Sequence, residues 1–144
     1  MIPASSLTGY LGDLNRAYES LTFVHFPGTP LHDVESDIRE MISSYLSDAG
    51  IFREKNDIVN CYASLTYIHG WLDAGIYLGY TSGTTPPLFF PPDDQEPEFD
   101  PEQLIEKTGR YARMLEKAVV SVQTGPEYGS PLFRAAICIL DRTK

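Results

Sequence analysis

IVNCYASLTYIHGWLDAGIYLGY, residues 58–80, decides the fold. Asn56 or Asp57 stands ahead of it as a helix N-cap. Ile58, Tyr62, Leu65, His69, Leu72 and Ile76 then recur at three- and four-residue steps, the spacing of one helical face. At about 100° per residue, Tyr67, Trp71, Ala74 and Leu78 fall on the other side and form a second apolar stripe. A helix apolar on two sides is covered on both, so this stretch predicts a central helix, and its neighbours must supply the layers around it.

Two helices precede it. Residues 5–24 carry Leu7, Tyr10, Leu11, Leu14, Ala17, Tyr18 and Leu21 on one face, with Ser5 or Ser6 as cap and the turn HFPGTP after it. Thr29 as N-cap and Pro30 as first helical residue open a second helix, because proline's missing N–H costs nothing there. Leu31, Val34, Ile38, Met41/Ile42, Tyr45 and Phe52 form its stripe as far as about residue 54. Asp48 falls on that stripe, and is expected to sit at the core boundary or to bond a tyrosine hydroxyl.

Beyond the central helix the pattern breaks. Residues 81–100, TSGTTPPLFFPPDDQEPEFD, hold five prolines and a run of acids, which predicts an extended linker. Leu88, Phe89 and Phe90 within it are expected to dock, since three adjacent exposed apolar side chains are unusual. The acids at 93–102 read as solvated linker and helix cap. Asp100-Pro101-Glu102-Gln103 is a capping box for a fourth helix with the stripe Leu104, Thr108, Tyr111, Leu115, Ala118 and Val122. Ser130-Pro131 opens a fifth, at 131–141, apolar nearly all round. This last hairpin resembles the first. At an offset of 101, AYESL (17–21) lies on AVVSV (118–122) and GTPL (28–31) on GSPL (129–132). A second copy that stops there lacks a third helix and cannot close its own core.

Composition narrows the function. The chain has 144 residues, 42% of them hydrophobic and 22% charged, enough for one packed domain or a domain with an appendage. A formal charge of −9 argues against nucleic-acid backbones and anionic membrane surfaces. No apolar run reaches the roughly 18 residues of a membrane span. The first residues have no basic stretch before an apolar one, so no signal peptide is expected. Cys61 and Cys138 do not make a disulfide framework, which predicts a cytoplasmic protein with reduced thiols.

Between residues 44 and 79, Tyr45, Asp48, Ala49 and Phe52, then Asp57, then Tyr67, His69, Gly70, Leu72, Asp73 and Ala74 resemble the core of an archaeal family of short proteins, domain of unknown function 357. Ile68 stands where that family commonly has alanine. The resemblance covers about residues 7–80. It implies an up-and-down three-helix bundle in an archaeal cytosolic protein, and carries over no activity.

His69 and Asp73, four apart on one helix, are the residues most suggestive of chemistry, with Arg16 on the first helix as a third member. A metal site needs three or more ligands, and no His-x-x-x-His or Glu-x-x-His pair supplies them, so neither metal nor cofactor is expected. Helical ribonucleases of the HEPN group place an arginine four to six residues before their histidine, whereas YASLTYI precedes His69. The simpler reading makes Asp48, His69 and Asp73 buried polar groups, with His69 bonded to a carboxylate or tyrosine hydroxyl and Asp73 paired to Arg16 or Arg39. Gly70, Gly75 and Gly79 weaken a helix by about 1 kcal/mol each, so close approach of another helix is expected there. Cys61 and Cys138 read as small core residues.

These observations predict an all-α protein: a three-helix bundle over 1–80, a Pro-rich acidic linker over 81–101, and a helical hairpin over 102–144 packed on the bundle. The function expected is non-enzymatic, a module for self-association or for binding another protein through Tyr67, Trp71, Ala74 and Leu78. A ligand or hydrolase site at His69, Asp73 and Arg16 is the rival reading.

Overall fold

The computed structural model describes residues 6–89, 99–124 and 137. The order of elements is α1 (Leu7–Glu19), β1 (Thr22–Phe23), α2 (Pro30–Glu54), α3 (Ile58–Tyr77), β2 (Thr81–Ser82) and α4 (Pro101–Gln123). The protein is all-α apart from one two-stranded ribbon, and it divides into two compact units, Met1–Phe99 and Asp100–Lys144.

In the first unit α3 packs along most of α2, and α1 touches both. The caps explain the helix bounds. Ser6 Oγ accepts a hydrogen bond from Gly9 N at 3.0 Å, and Thr29 Oγ1 from His32 N at 3.2 Å. Between α2 and α3 the chain turns on Asn56 at φ 57°, a left-handed conformation that asparagine tolerates. Asn56 N then bonds Arg53 O and Asp57 N bonds Phe52 O, closing the end of α2. Asp57 at once caps α3 through Asn60 N. Gly79, at φ 76°, ends α3 in the same way, with Tyr80 N bonding Gly75 O.

The first helix is shorter than its periodicity predicts. It stops at Glu19, and Thr22-Phe23 pairs antiparallel with Thr81-Ser82, Thr22 opposite Ser82 and Phe23 opposite Thr81. β-branched and aromatic residues favour such extended pairing, and the ribbon ties the end of α1 to the end of α3.

The buried face of α3 is rotated from the stripe read in the sequence. Cys61, Leu65, Ile68 and Leu72 are fully buried, with Ser64 and Gly75 beside them, and they pack on Tyr10, Leu14, Ile38, Ile42 and Ala49. Tyr62 and His69 lie on the flank toward α1, and Tyr67 on the flank toward α2, where its ring stacks on Tyr45 at 5.2 Å. On α2, Leu31 and Val34 are exposed and Glu35 takes the core position. Asp48 is exposed rather than buried, because Ala49, seven residues past Ile42, fills the core site.

In the second unit Asp100 caps α4 through Gln103 N at 3.1 Å. Tyr111, Leu115, Val119 and Val122 are half-buried along it, while Thr108 and Ala118 are exposed. The fifth helix predicted at 131–141, with Cys138, lies outside the described residues except for Ile137, which is helical, and so do Phe90 and the acids at 93–98.

Candidate functional site

Two polar clusters stand out, one between α1 and α3 and one at the α1–α2 turn. The first joins α1 to α3. Tyr10 is fully buried and its hydroxyl lies 2.9 Å from His69 Nδ1. Burial holds His69 below its ordinary pKa, with the charge of Asp73 opposing it, so the imidazole is neutral at pH 7. The Tyr10 hydroxyl and this Nδ1 share one hydrogen bond, whose direction the imidazole tautomer sets. Burial also pushes the Tyr10 phenol well above its ordinary range. Tyr62 adds to that rise, a backbone hydrogen bond from Phe89 works against it, and Asp13 adds a little more. Tyr62, itself raised by burial, donates its hydroxyl to Phe89 O at 2.9 Å.

Arg16 is not part of this cluster. Its side chain is 71% exposed and its guanidinium is paired with Asp13 one turn away. Asp73 and Tyr67 have partners of their own. Arg39, the other cation expected beside Asp73, donates to Leu21 O at 3.0 Å and lies over the Phe23 and Tyr18 rings. Cys61 is buried and its thiol is pushed up by desolvation, which keeps it protonated. Among the described residues no group of three His, Cys, Asp or Glu side chains is placed to hold a metal ion.

The second cluster organises the α1–α2 turn, and the sequence reading missed it. Glu35 is fully buried. Its Oε1 accepts from Val24 N at 2.8 Å, and its Oε2 accepts from His25 N and lies against His25 Nδ1, both at 3.2 Å. One carboxylate therefore satisfies the backbone that follows β1. The Phe23 ring stacks on His32 at 4.8 Å on one side, and the Arg39 guanidinium lies 4.5 Å from its centroid. The signal was present in the spacing: Glu35 stands three before Ile38 and seven before Ile42, on the core stripe itself.

These interactions are made by side chains that lock helices and a turn together. Together with the all-α architecture they define a small helical domain. Residues 9–81, which is 73 of 144, match the family model described as protein of unknown function (DUF357), and the chain belongs to that family. Neither the curated proteins nor the solved structures give a match. No described helix is long and apolar enough to cross a membrane.

Proposed function

We propose that the chain is a non-catalytic association module, an up-and-down three-helix bundle whose α1–α2 turn docks against the same turn of a second copy. The observation that carries this reading is the apolar surface of that turn. Phe23 and Val24 are each 49% exposed, Phe26 84%, Leu31 48% and Val34 36%, all within one stretch of twelve residues. Exposed apolar residues that are scattered singly mean little, whereas a cluster marks a contact surface.

Two further features support a second copy as the occupant. The turn is held in shape by Glu35, so little ordering is lost on docking. Its sequence carries both signs of charge, with Asp33, Asp37 and Glu40 beside Arg39. A two-fold contact sets a patch against itself, which a patch of mixed sign can satisfy. The face expected from the sequence, Tyr67, Trp71, Ala74 and Leu78, is the weaker candidate, since none of the four is exposed.

Site-directed cross-linking tests the proposal. A photoreactive benzoyl-phenylalanine at position 26 keeps an aromatic side chain there. It is expected to yield a product of twice the chain mass, with its links confined to residues 23–34 of the other copy. Links scattered over the whole surface, or none, would refute the proposal.

A further inference from the structure

Residues 86–89, Pro-Pro-Leu-Phe, follow the family domain and lie back on it. Pro86 and Phe89 are buried, whereas Pro87 and Leu88 are exposed. A three-residue interval is the repeat of a polyproline helix, so one face of the segment enters the domain and the other faces solvent. Phe89 joins the core, with its ring 5.7 Å from that of Tyr10. Its backbone carbonyl accepts a hydrogen bond from the Tyr62 hydroxyl at 2.9 Å. Tyr62 also meets the Phe99 ring edge-on at 6.1 Å, so the chain returns to the same tyrosine ten residues later.

One tyrosine that bonds the backbone of an extended, proline-containing segment, beside a second whose ring receives the segment's apolar residue, is a peptide-recognition arrangement. The division of the chain points the same way. Tyr10 and Tyr62 lie within residues 9–81, which match the family, and the segment they contact lies just outside. We propose that the seam between α1 and α3 is a docking site for extended peptides with proline and phenylalanine three residues apart, and that residues 86–89 fill it in cis. A partner carrying such a segment competes with the chain's own. This site is separate from the α1–α2 turn.

The test uses the full chain and a fluorescein-labelled peptide, GTTPPLFFPP, copied from residues 83–92. Phe89→Ala withdraws the internal competitor, so this variant is expected to bind the peptide at least about tenfold more tightly than the wild type in a fluorescence-anisotropy titration. A peptide with alanine at the position of Phe89 is expected to bind neither protein. Adding Tyr62→Phe to the Phe89→Ala chain weakens binding about fivefold, the loss of one neutral hydrogen bond. Equal binding to wild type and variant, equal binding of the alanine peptide, or no binding to a cooperatively folded variant overturns the proposal. Should Phe89→Ala lose its cooperative melt, the comparison moves to Pro86→Gly/Pro87→Gly, which loosens the strap and leaves the seam intact. Failure of that chain to bind the peptide more tightly than wild type is equally decisive.

Discussion

The Tyr10 hydroxyl and His69 Nδ1, 2.9 Å apart, bond α1 to α3 across 59 positions of sequence. His69 is neutral in the folded chain because burial lowers its pKa below the ordinary 6.5. The unfolded chain therefore takes up this proton first as the pH falls. The stability contributed by the neutral ring is complete above about pH 6.5 and is lost as the pH drops through the lower, folded-state value. Urea midpoints at about pH 7 and pH 5, either side of the ordinary histidine value, are expected to fall further for wild type than for His69→Gln. Equal falls would show that His69 is not the group responsible. Tyr10→Phe, which leaves Nδ1 without its hydrogen-bond partner, is expected to cost about 1–2 kcal/mol at neutral pH.

The two glycines five apart in α3 are predicted to respond to alanine with opposite signs. A Cβ on Gly75 would come within 2.9 Å of Thr81 Oγ1 and 3.4 Å of Ile38 Cγ2, where α3 meets α2 and β2. Gly75→Ala is expected to destabilise by about 1–3 kcal/mol. Gly70 has open space around its Cβ position, and nothing in the structure explains a glycine there. Gly70→Ala is expected to stabilise by up to about 1 kcal/mol through helix propensity. Thermal melts of the two variants check both signs.

Thr81 gives a related prediction. Its hydroxyl oxygen is buried and has no hydrogen-bond partner among the described residues. Thr81→Val keeps the shape and removes an unsatisfied polar atom, so it is expected to leave stability unchanged or raise it by about 1 kcal/mol. A loss of stability in chemical denaturation would mean that the hydroxyl has a partner.

Glu35 should behave in the reverse sense. Glu35→Gln replaces one acceptor oxygen by an amide group that faces a backbone donor, at a site with no solvent to compensate. A cost of about 1–3 kcal/mol is expected, together with faster amide exchange at Val24 and His25. Wild-type exchange at those two amides would contradict the assigned role.

The helices and their caps were legible because they depend on local chemistry. Thr29-Pro30, Asp57 and Asp100-Pro101 mark their helix starts in sequence and in structure, and α2 has the expected bounds. The β1–β2 pairing was not legible, since two-residue strands are stabilised only by the helix ends that bring them together. A rotation of about one residue in the α3 stripe moved His69 from the centre of the core to its edge, because tyrosine and histidine suit a boundary as well as an interior. Glu35 was overlooked for the opposite reason. Acids are counted as surface residues, and only the tertiary path of residues 24–25 supplies the donors that make its burial tolerable. Of the LFF run, Phe89 docks as its apolarity predicts, Leu88 stays exposed and Phe90 lies outside the described residues, and the partners of Phe89 were not foreseeable.

Salt separates an apolar contact from an ionic one. Each copy carries −9, so association sets like net charges together, and added salt screens that repulsion. Raising sodium chloride from about 50 mM to about 500 mM, across the range where the Debye length shrinks below about 5 Å, is expected to tighten self-association. Weakening would mean that ion pairs hold the contact.

The central claim, that the α1–α2 turn is the association surface, is tested most directly by sedimentation equilibrium of the wild type and of Phe26→Ser/Leu31→Ser. Both side chains are exposed, so the substitutions leave the core alone. The wild type is expected to sediment as a dimer at concentrations of about 100 µM, with a dissociation constant in the micromolar range typical of a small, transient interface. The variant is expected to be monomeric with an unchanged thermal melt. A wild type that stays monomeric throughout, or a variant that dimerises as strongly, would contradict the account.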